Sequence, residues 1–246
     1  MVQVIPLRLL LESDANSGAW NMAVDEVLLE SALEHERATL RWYRWCEPTV
    51  SIGYFQKRED VVCLPACDVL PVVKRLSGGG AIVHHDEITY SVALPAAHVF
   101  ARDPLALYER VHSAMIDVLA RYDVAATLRG ASLPGESPAF LCFHRADPRD
   151  VILENHKIAG SAQRRRRGAV LQHGSLLLSR SCHASAFPGI RELAPRFNVE
   201  TSTLIGALAD SIIATVFRTT TPCPCSLTGA ETQRAAELLE RHKNAD

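Results

Sequence analysis

Three consecutive glycines, Gly78-Gly79-Gly80, interrupt the stretch "VVKRLSGGGAIVHHDEITYSVALP" (residues 72–95), after a basic pair, Lys74-Arg75, and before a histidine pair, His84-His85. Each glycine surrenders more backbone freedom on folding than any other residue, so a triplet needs something to offset it. The apolar runs on either side, 69–73 and 88–94, read as strands. A strand–glycines–strand order differs from Rossmann and Walker loops, whose glycines are spaced otherwise and open into a helix. Two readings stay open at this point. The triplet is a flexible hairpin connection, or its side-chain-free N–H groups turn inward to cradle an oxyanion while Arg75 supplies charge beside them.

The rest of the chain predicts a mixed α+β framework around this loop. Leu7–Leu11 reads as an opening strand. Ser17 is placed to cap a helix over Gly18–Glu34, with Ala23, Val27 and Leu28 in its buried stripe and Asp25, Glu26, Glu30 and Glu34 mostly on a wet face. Segments 40–45 and 49–56 read as strands broken by Glu47-Pro48. Asp103 followed by Pro104 starts a helix in which Leu107, Val111, Met115 and Val118 recur at helical spacing as far as Arg121. Strands 151–153 and 157–161 flank Glu154-Asn155-His156 as a hairpin, and 169–178 reads as the next strand. Two helices, about 203–216 and 229–242, close the chain. With no internal repeat and no low-complexity linker, the expectation is one domain over residues 1–246.

Composition narrows the function classes. A net charge of −2, with 48% apolar and 22% charged residues, suits a compact soluble fold and argues against a general nucleic-acid binder. The first residues lack a secretory leader, and no apolar run approaches bilayer length, so a cytoplasmic protein that does not engage membranes is expected. Seven cysteines, an odd number, argue against a disulfide framework. Cys63, Cys67, Cys223 and Cys225 do not have a usual zinc-ligand spacing, so no metal site is expected and the thiols read as small apolar residues.

A second stretch, "ENHKIAGSAQRRRRGAVLQHGSLLL" (154–178), sets Lys157 in an apolar-leaning strand before Gly160-Ser161-Ala162. Such a lysine either snorkels at the surface or stands as a fixed cation that polarises a carbonyl or phosphate beside the glycine loop. Taken with "NMAVDEVLLE" (21–30), "LRWYRWCEPTVSIGYFQ" (40–56) and "KRLSGGGAIVHHDEITYSVALP" (74–95), the pattern resembles the lipoate-protein ligase and octanoyltransferase family, which is related to biotin protein ligases. The resemblance implies a catalytic domain with a central mixed sheet flanked by helices, an acyl-chain tunnel and work on lipoate-dependent enzymes. It implies that Lys157 meets the acyl carbonyl or acyl-adenylate. It also implies that Arg75, Ser77, Gly78, Gly79, Gly80 and His84, with Gly160 and Ser161, surround the ligand.

Members of that family divide by chemistry. Ligases use ATP and Mg2+ to activate free lipoate as an adenylate, whereas transferases take octanoyl from acyl carrier protein through a cysteine thioester and need no cofactor. A thioester is already activated, so exchange onto a cysteine is nearly isoenergetic. Cys142 precedes Lys157 by fifteen residues in "FLCFHRADPRDVILENHK" (140–157), and "CF" sits as in the LipM-type octanoyltransferases. The resemblance therefore implies Cys142 as covalent nucleophile, against the plainer reading of a space-filling thiol. His144 would share a face with Cys142 if the segment were extended; His84 and His173 are further candidate bases. Departures are Lys74, where many relatives carry a first arginine, and Asn155-His156 in place of a usual glycine before the lysine. Cys182 lacks the motif of the LipB-type nucleophile. The shortness of the chain after Leu178 leans toward a transferase without the ligase accessory domain.

Arg164–Arg167 is a block of four cations, read either as a solvated edge or as a docking patch for acidic partners. The resemblance implies acyl carrier protein and lipoyl-domain proteins, or the glycine-cleavage H protein, in that role. No aromatic interleaving or reading motif supports nucleic acid. A non-catalytic acyl-binding relative is the remaining rival.

Overall fold

The computed structural model describes residues 5–63, 69–130, 141–217 and 222–243. In chain order the elements are β1 (Leu7–Leu11), α1 (Gly18–Glu34), β2 (Ala38–Tyr43), β3 (Thr49–Ile52), β4 (Val72–Lys74), β5 (Ile82–His84) and β6 (Glu87–Leu94). There follow α2 (Val99–Arg102), α3 (Pro104–Ala120), β7 (Thr127–Leu128), β8 (Val151–Leu153), β9 (His156–Arg166) and β10 (Ala169–Leu177). The last are α4 (Ile190–Leu193), α5 (Thr201–Ile212), β11 (Cys223–Pro224) and α6 (Gly229–Lys243). Eight strands form one mixed sheet in the order β11-β1-β2-β6-β10-β9-β8-β7, and β4-β3-β5 form a second, small sheet.

Helices cover both faces of the large sheet. On one, Leu40, Trp42, Ile88, Tyr90, Val92 and Val170 pack against Leu107, Val111 and Met115 of α3 and Leu204 and Leu208 of α5. On the other, Val24, Val27 and Leu28 of α1 meet Ala93, Leu171 and, from α6, Ala235 and Leu238. Burial of this kind, at about 25 cal/mol per Å² of apolar surface, is the main force holding the layers together.

The local signals that predict helix starts and tight turns match the structure. The Ser17 hydroxyl accepts from the Trp20 N–H at 3.4 Å, and Asp103 accepts from the Ala106 N–H at 3.1 Å with Pro104 in the first turn. Glu154 (φ 47°) and Asn155 (φ 67°) link β8 to β9, and Arg167 (φ 47°) and Gly168 (φ 87°) link β9 to β10. Two central residues at positive φ give the turn whose twist matches a two-residue hairpin.

The wet face assigned to α1 is corrected. Asp25 and Glu26 are buried, at 1% and 4% exposure: Asp25 faces the sheet, where it meets Arg41 and Tyr43 of β2 and His173 of β10, and Glu26 faces α6, which packs against α1. Glu26 is held by Arg241 Nη2 at 2.9 Å and His242 Nε2 at 3.0 Å, both from α6. Strand 49–56 is also shorter than expected, ending at Ile52, and strand 69–73 shifts to Val72–Lys74.

Two buried histidines give the fold a pH dependence. Burial pushes His98 and His112 down from the ordinary 6.5 to about 4. Between those values the unfolded chain binds protons that the folded chain does not, so stability is complete above the upper value and is lost on acidification. In a melting series, Tm should climb from pH 4 to pH 6.5. His98→Asn keeps an acceptor for the Phe100 N–H, 3.3 Å away, and should show a shallower climb. An unchanged slope would remove His98 from the account. Among the described residues, no helix is long and apolar enough to cross a membrane.

Candidate active site

Cys142 is placed by a short docking contact and by β9. Its N–H donates to the Ala81 carbonyl at 2.8 Å, and Leu141 bridges Ala81, so the segment lies against the chain leaving the glycine loop. Residues Cys142–His144 form one 3-10 turn, closed by the Arg145 N–H donating to the Cys142 carbonyl at 3.0 Å. The extended geometry that would have put His144 on the Cys142 face therefore does not exist, because the chain turns after docking on Ala81.

Lys157 comes up from β9 beneath this turn. Its ammonium sits 3.8 Å from the Cys142 sulfur, pairs with Asp150 Oδ1 at 2.9 Å, and donates to the carbonyls of Cys142 at 3.2 Å and Arg145 at 3.4 Å. The lysine is 7% exposed, so the snorkelling alternative does not hold. Gly160 makes the position possible: a Cβ there would stand 2.5 Å from Lys157 Cε. Burial pushes the Asp150 carboxyl above the usual carboxylate range even with the Lys157 ammonium beside it.

The glycine loop is braced by its own arginine. Arg75 donates through Nη1 to the Ser51 carbonyl at 2.6 Å and to its hydroxyl at 3.0 Å. Nη2 reaches the carbonyls of Gly78 at 3.0 Å and Gly80 at 2.6 Å. Burial pushes the guanidinium down to about 10, and negative charge on the Cys142 sulfur would act in the opposite sense. Gly79 has φ 94°, which favours glycine, and its carbonyl oxygen would lie 2.2 Å from a Cβ on Gly53. Two of the loop's carbonyls thus face the cation, and Arg75 is engaged with backbone instead of presenting a free fork.

Two serine–histidine pairs adjoin the loop, and a third joins β9 to α3. Ser77 Oγ lies 2.5 Å from His173 Nε2, and His173 Nδ1 lies 3.0 Å from Asp25 Oδ2. Asp25 also binds Arg41 Nη1 at 2.9 Å and the Tyr43 hydroxyl at 3.0 Å. Burial alone would raise Asp25, yet the His173 hydrogen bond and the Arg41 guanidinium outweigh it and hold the carboxyl below its usual range. Ser51 Oγ lies 2.7 Å from His84 Nε2, whose Nδ1 is 2.7 Å from Glu87 Oε1, with Trp45 stacked on the ring at 3.7 Å. Burial pushes this imidazole down although Glu87 opposes it. Ser161 Oγ lies 2.6 Å from His112 Nε2 and 2.6 Å from the Tyr90 hydroxyl.

A cavity of about 20 Å³ joins these parts, and its wall includes Arg75, His84, Cys142, Gly160, Ser161 and His173. Met22 and Tyr43 add apolar surface. Lys157 borders it through Cys142 and Gly160, and Ser77 through His173, whereas Gly78–Gly80 stand one layer back, held by Arg75. Sequence reasoning missed Asp25, Arg41, Ser51 and His112 as supports. The presence of Asp25 in "NMAVDEVLLE" was the one available signal for it. Of the cysteines weighed for zinc, Cys67 lies outside the described residues. A buried ammonium, a nearby thiol and a small-residue wall form a site suited to acyl transfer.

The comparison with known proteins agrees with this class of site. Residues 17–193 match the lipoyl protein ligase A/B catalytic domain, and the chain belongs to that family. It is 35% identical over 180 residues to octanoyltransferase LipM of Exiguobacterium sp., covering 69% of this chain and 65% of that protein. The match thus spans just under two thirds of that relative's length. With octanoyltransferase LipM of Symbiobacterium thermophilum, identity is 32% over 267 residues and coverage is 96% of each chain. The fold is that of a bipartite lipoate protein ligase of Thermoplasma acidophilum, studied with its E2 lipoyl domain. The TM-score is 0.72 at 20% identity, covering 98% of this chain and 95% of that one.

Proposed function

We propose that this chain is an octanoyltransferase of protein lipoylation. It takes octanoyl from acyl carrier protein as a thioester on Cys142 and passes it to a lysine of a lipoyl domain or of the glycine-cleavage H protein. The observation that carries the reading is the pairing of the Cys142 sulfur with the buried Lys157 ammonium, 3.8 Å apart at the cavity wall. LipM relatives support the transferase over the ATP-dependent ligase.

The Cys142 thiol gives up its proton, the resulting thiolate attacks the donor's carbonyl carbon, a new C–S bond forms, and the carrier's C–S bond breaks with its sulfur leaving as thiolate and taking up the proton that Cys142 released. The acceptor amine then attacks the acyl-enzyme, an amide C–N bond forms, and the amine's proton returns to Cys142 as the thiol is released. Both steps pass through an oxyanion, and Lys157 is the cation beside it. Its ammonium already has three oxygen acceptors, of which the long contact to the Arg145 carbonyl at 3.4 Å is the one most easily given up to substrate. An octanoyl chain needs more room than about 20 Å³, so the wall yields as it enters. Met22, unbranched and adaptable, is the side chain suited to do so.

The test is direct. The protein is incubated with octanoyl-carrier and a lipoyl domain, with and without ATP, and the domain is weighed by mass spectrometry. An octanoyl gain without ATP is expected. Modification that requires ATP, Mg2+ and free acid would establish the ligase instead, and no modification under either condition would leave a binder.

A further inference from the structure

The β9–β10 hairpin carries a feature that the chemistry above does not use. Arg165, Arg166 and Arg167 at its tip are exposed and Arg164 is half-buried. Among the described residues none of the four forms an ion pair with a carboxylate, although the chain as a whole has a net charge of −2. Four adjacent cations repel one another, and leaving them unpaired on an otherwise slightly acidic protein calls for a compensating partner.

The hairpin also points back to the cavity. Side chains alternate along a strand, so Gly160, Ala162, Arg164 and Arg166 share a face of β9. Gly160 and Ala162 line the cavity, and Arg164 Cζ sits 4.9 Å over the Tyr54 ring. Tyr54 meets Phe55 edge-on at 5.1 Å, and the two are 43% and 88% exposed. They are fixed beside the glycine loop: the Tyr54 N–H donates to the Ser77 carbonyl at 2.9 Å, and a Cβ on Gly78 would touch the Phe55 ring at 4.0 Å. A basic strip edged by two exposed aromatics therefore runs from the cavity to the hairpin tip.

We propose that this strip, Arg164 and Arg166 with Tyr54 and Phe55, is the docking surface for the acyl donor, an acidic carrier protein bearing its thioester on a long flexible arm. The inference rests on the transferase reading and adds where the donor binds. Reach selects donor over acceptor. From Ala162 at the cavity to Arg166 at the tip is about 13 Å of strand. A pantetheine-type arm spans that interval while the carrier body stays at the tip. A lysine side chain is far shorter, so an acceptor must press its own turn onto the cavity mouth. The carrier's acidic surface would meet the cations and its apolar spots the exposed rings, with attraction that speeds encounter and weakens in salt.

The experiment separates three rates in the whole protein, using Arg164→Glu/Arg166→Glu and, independently, Phe55→Ser. These are acylation of Cys142 by octanoyl-carrier, acylation by octanoyl-pantetheine, and transfer from preloaded acyl-enzyme to a lipoyl domain. The charge reversal should lower the second-order rate with octanoyl-carrier by about tenfold or more at low salt, converging on wild type as salt rises. Its other two rates should stay within about twofold. Phe55→Ser should weaken the carrier step alone, without the salt convergence. An undiminished carrier rate in both variants would overturn the proposal. So would an equal loss with octanoyl-pantetheine, which would place the effect in the site itself, or a loss confined to the lipoyl-domain step, which would assign the strip to the acceptor. A wild-type protein that accepts octanoyl from neither donor fails differently, since it removes the transferase reading itself.

Discussion

Exposed to octanoyl-carrier, the wild-type chain should gain the mass of one octanoyl group and lose it when a lipoyl domain is added, whereas Cys142→Ala should gain nothing. The reason is covalent: without the sulfur there is no C–S bond to form, and removal of a nucleophile costs on the order of 10⁴-fold or more in rate. The change should leave the fold intact, because what docks this segment is the Cys142 backbone N–H on the Ala81 carbonyl, 2.8 Å away, which alanine keeps. A matching melting curve therefore belongs with the mass measurement. An octanoylated Cys142→Ala chain would move the nucleophile elsewhere. Full activity of the variant with ATP and free acid would transfer the whole reading to the ligase side.

Lys157→Met should slow both half-reactions by about a hundredfold or more, the scale on which a single preorganised oxyanion partner acts. Methionine fills the space beside Gly160 but carries no charge, so the sulfur and the acyl oxygen lose their cation together. Breaking a buried ion pair commonly costs about 3–5 kcal/mol of stability. The cost here is reduced because burial already raises Asp150, which can take up a proton once its partner is gone. Single-turnover acylation below the melting transition isolates the chemical effect. If the Met variant acylates Cys142 at the wild-type rate, Lys157 is structural and its contacts to Asp150 and the two carbonyls are its whole function.

What could be read from the chain was mostly what neighbouring residues decide. The caps at Ser17 and Asp103 and the Glu154-Asn155 turn depend on residues within one turn of each other, and they stand as expected. The burial of Asp25 depends on Arg41 and His173 of the sheet and that of Glu26 on α6, some two hundred residues away, and an acidic pair on a helix otherwise reads as solvated. β5 and β11 went unseen for a related reason. Strands of three and two residues have little pattern of their own and exist through their partners, β3 and β1. At the site, residue types and spacing marked the glycine loop and Lys157 as unusual, and the family resemblance gave them, with Cys142, their expected roles. The turn after Cys142 and the carbonyl-facing pose of Arg75 follow from contacts with Ala81 and Ser51 that no local pattern encodes.

The grip of Arg75 on Ser51, Gly78 and Gly80 has a kinetic consequence. Fixing a residue's backbone costs about 1–2 kcal/mol in lost entropy, and glycine has the most to lose. Because the guanidinium secures the loop from within the protein, that loss is incurred once, as the chain folds, and on the proposed reading would not recur with each ligand bound. A stretch that looks from its composition like the loosest part of the molecule is thereby a fixed backing one layer behind the cavity.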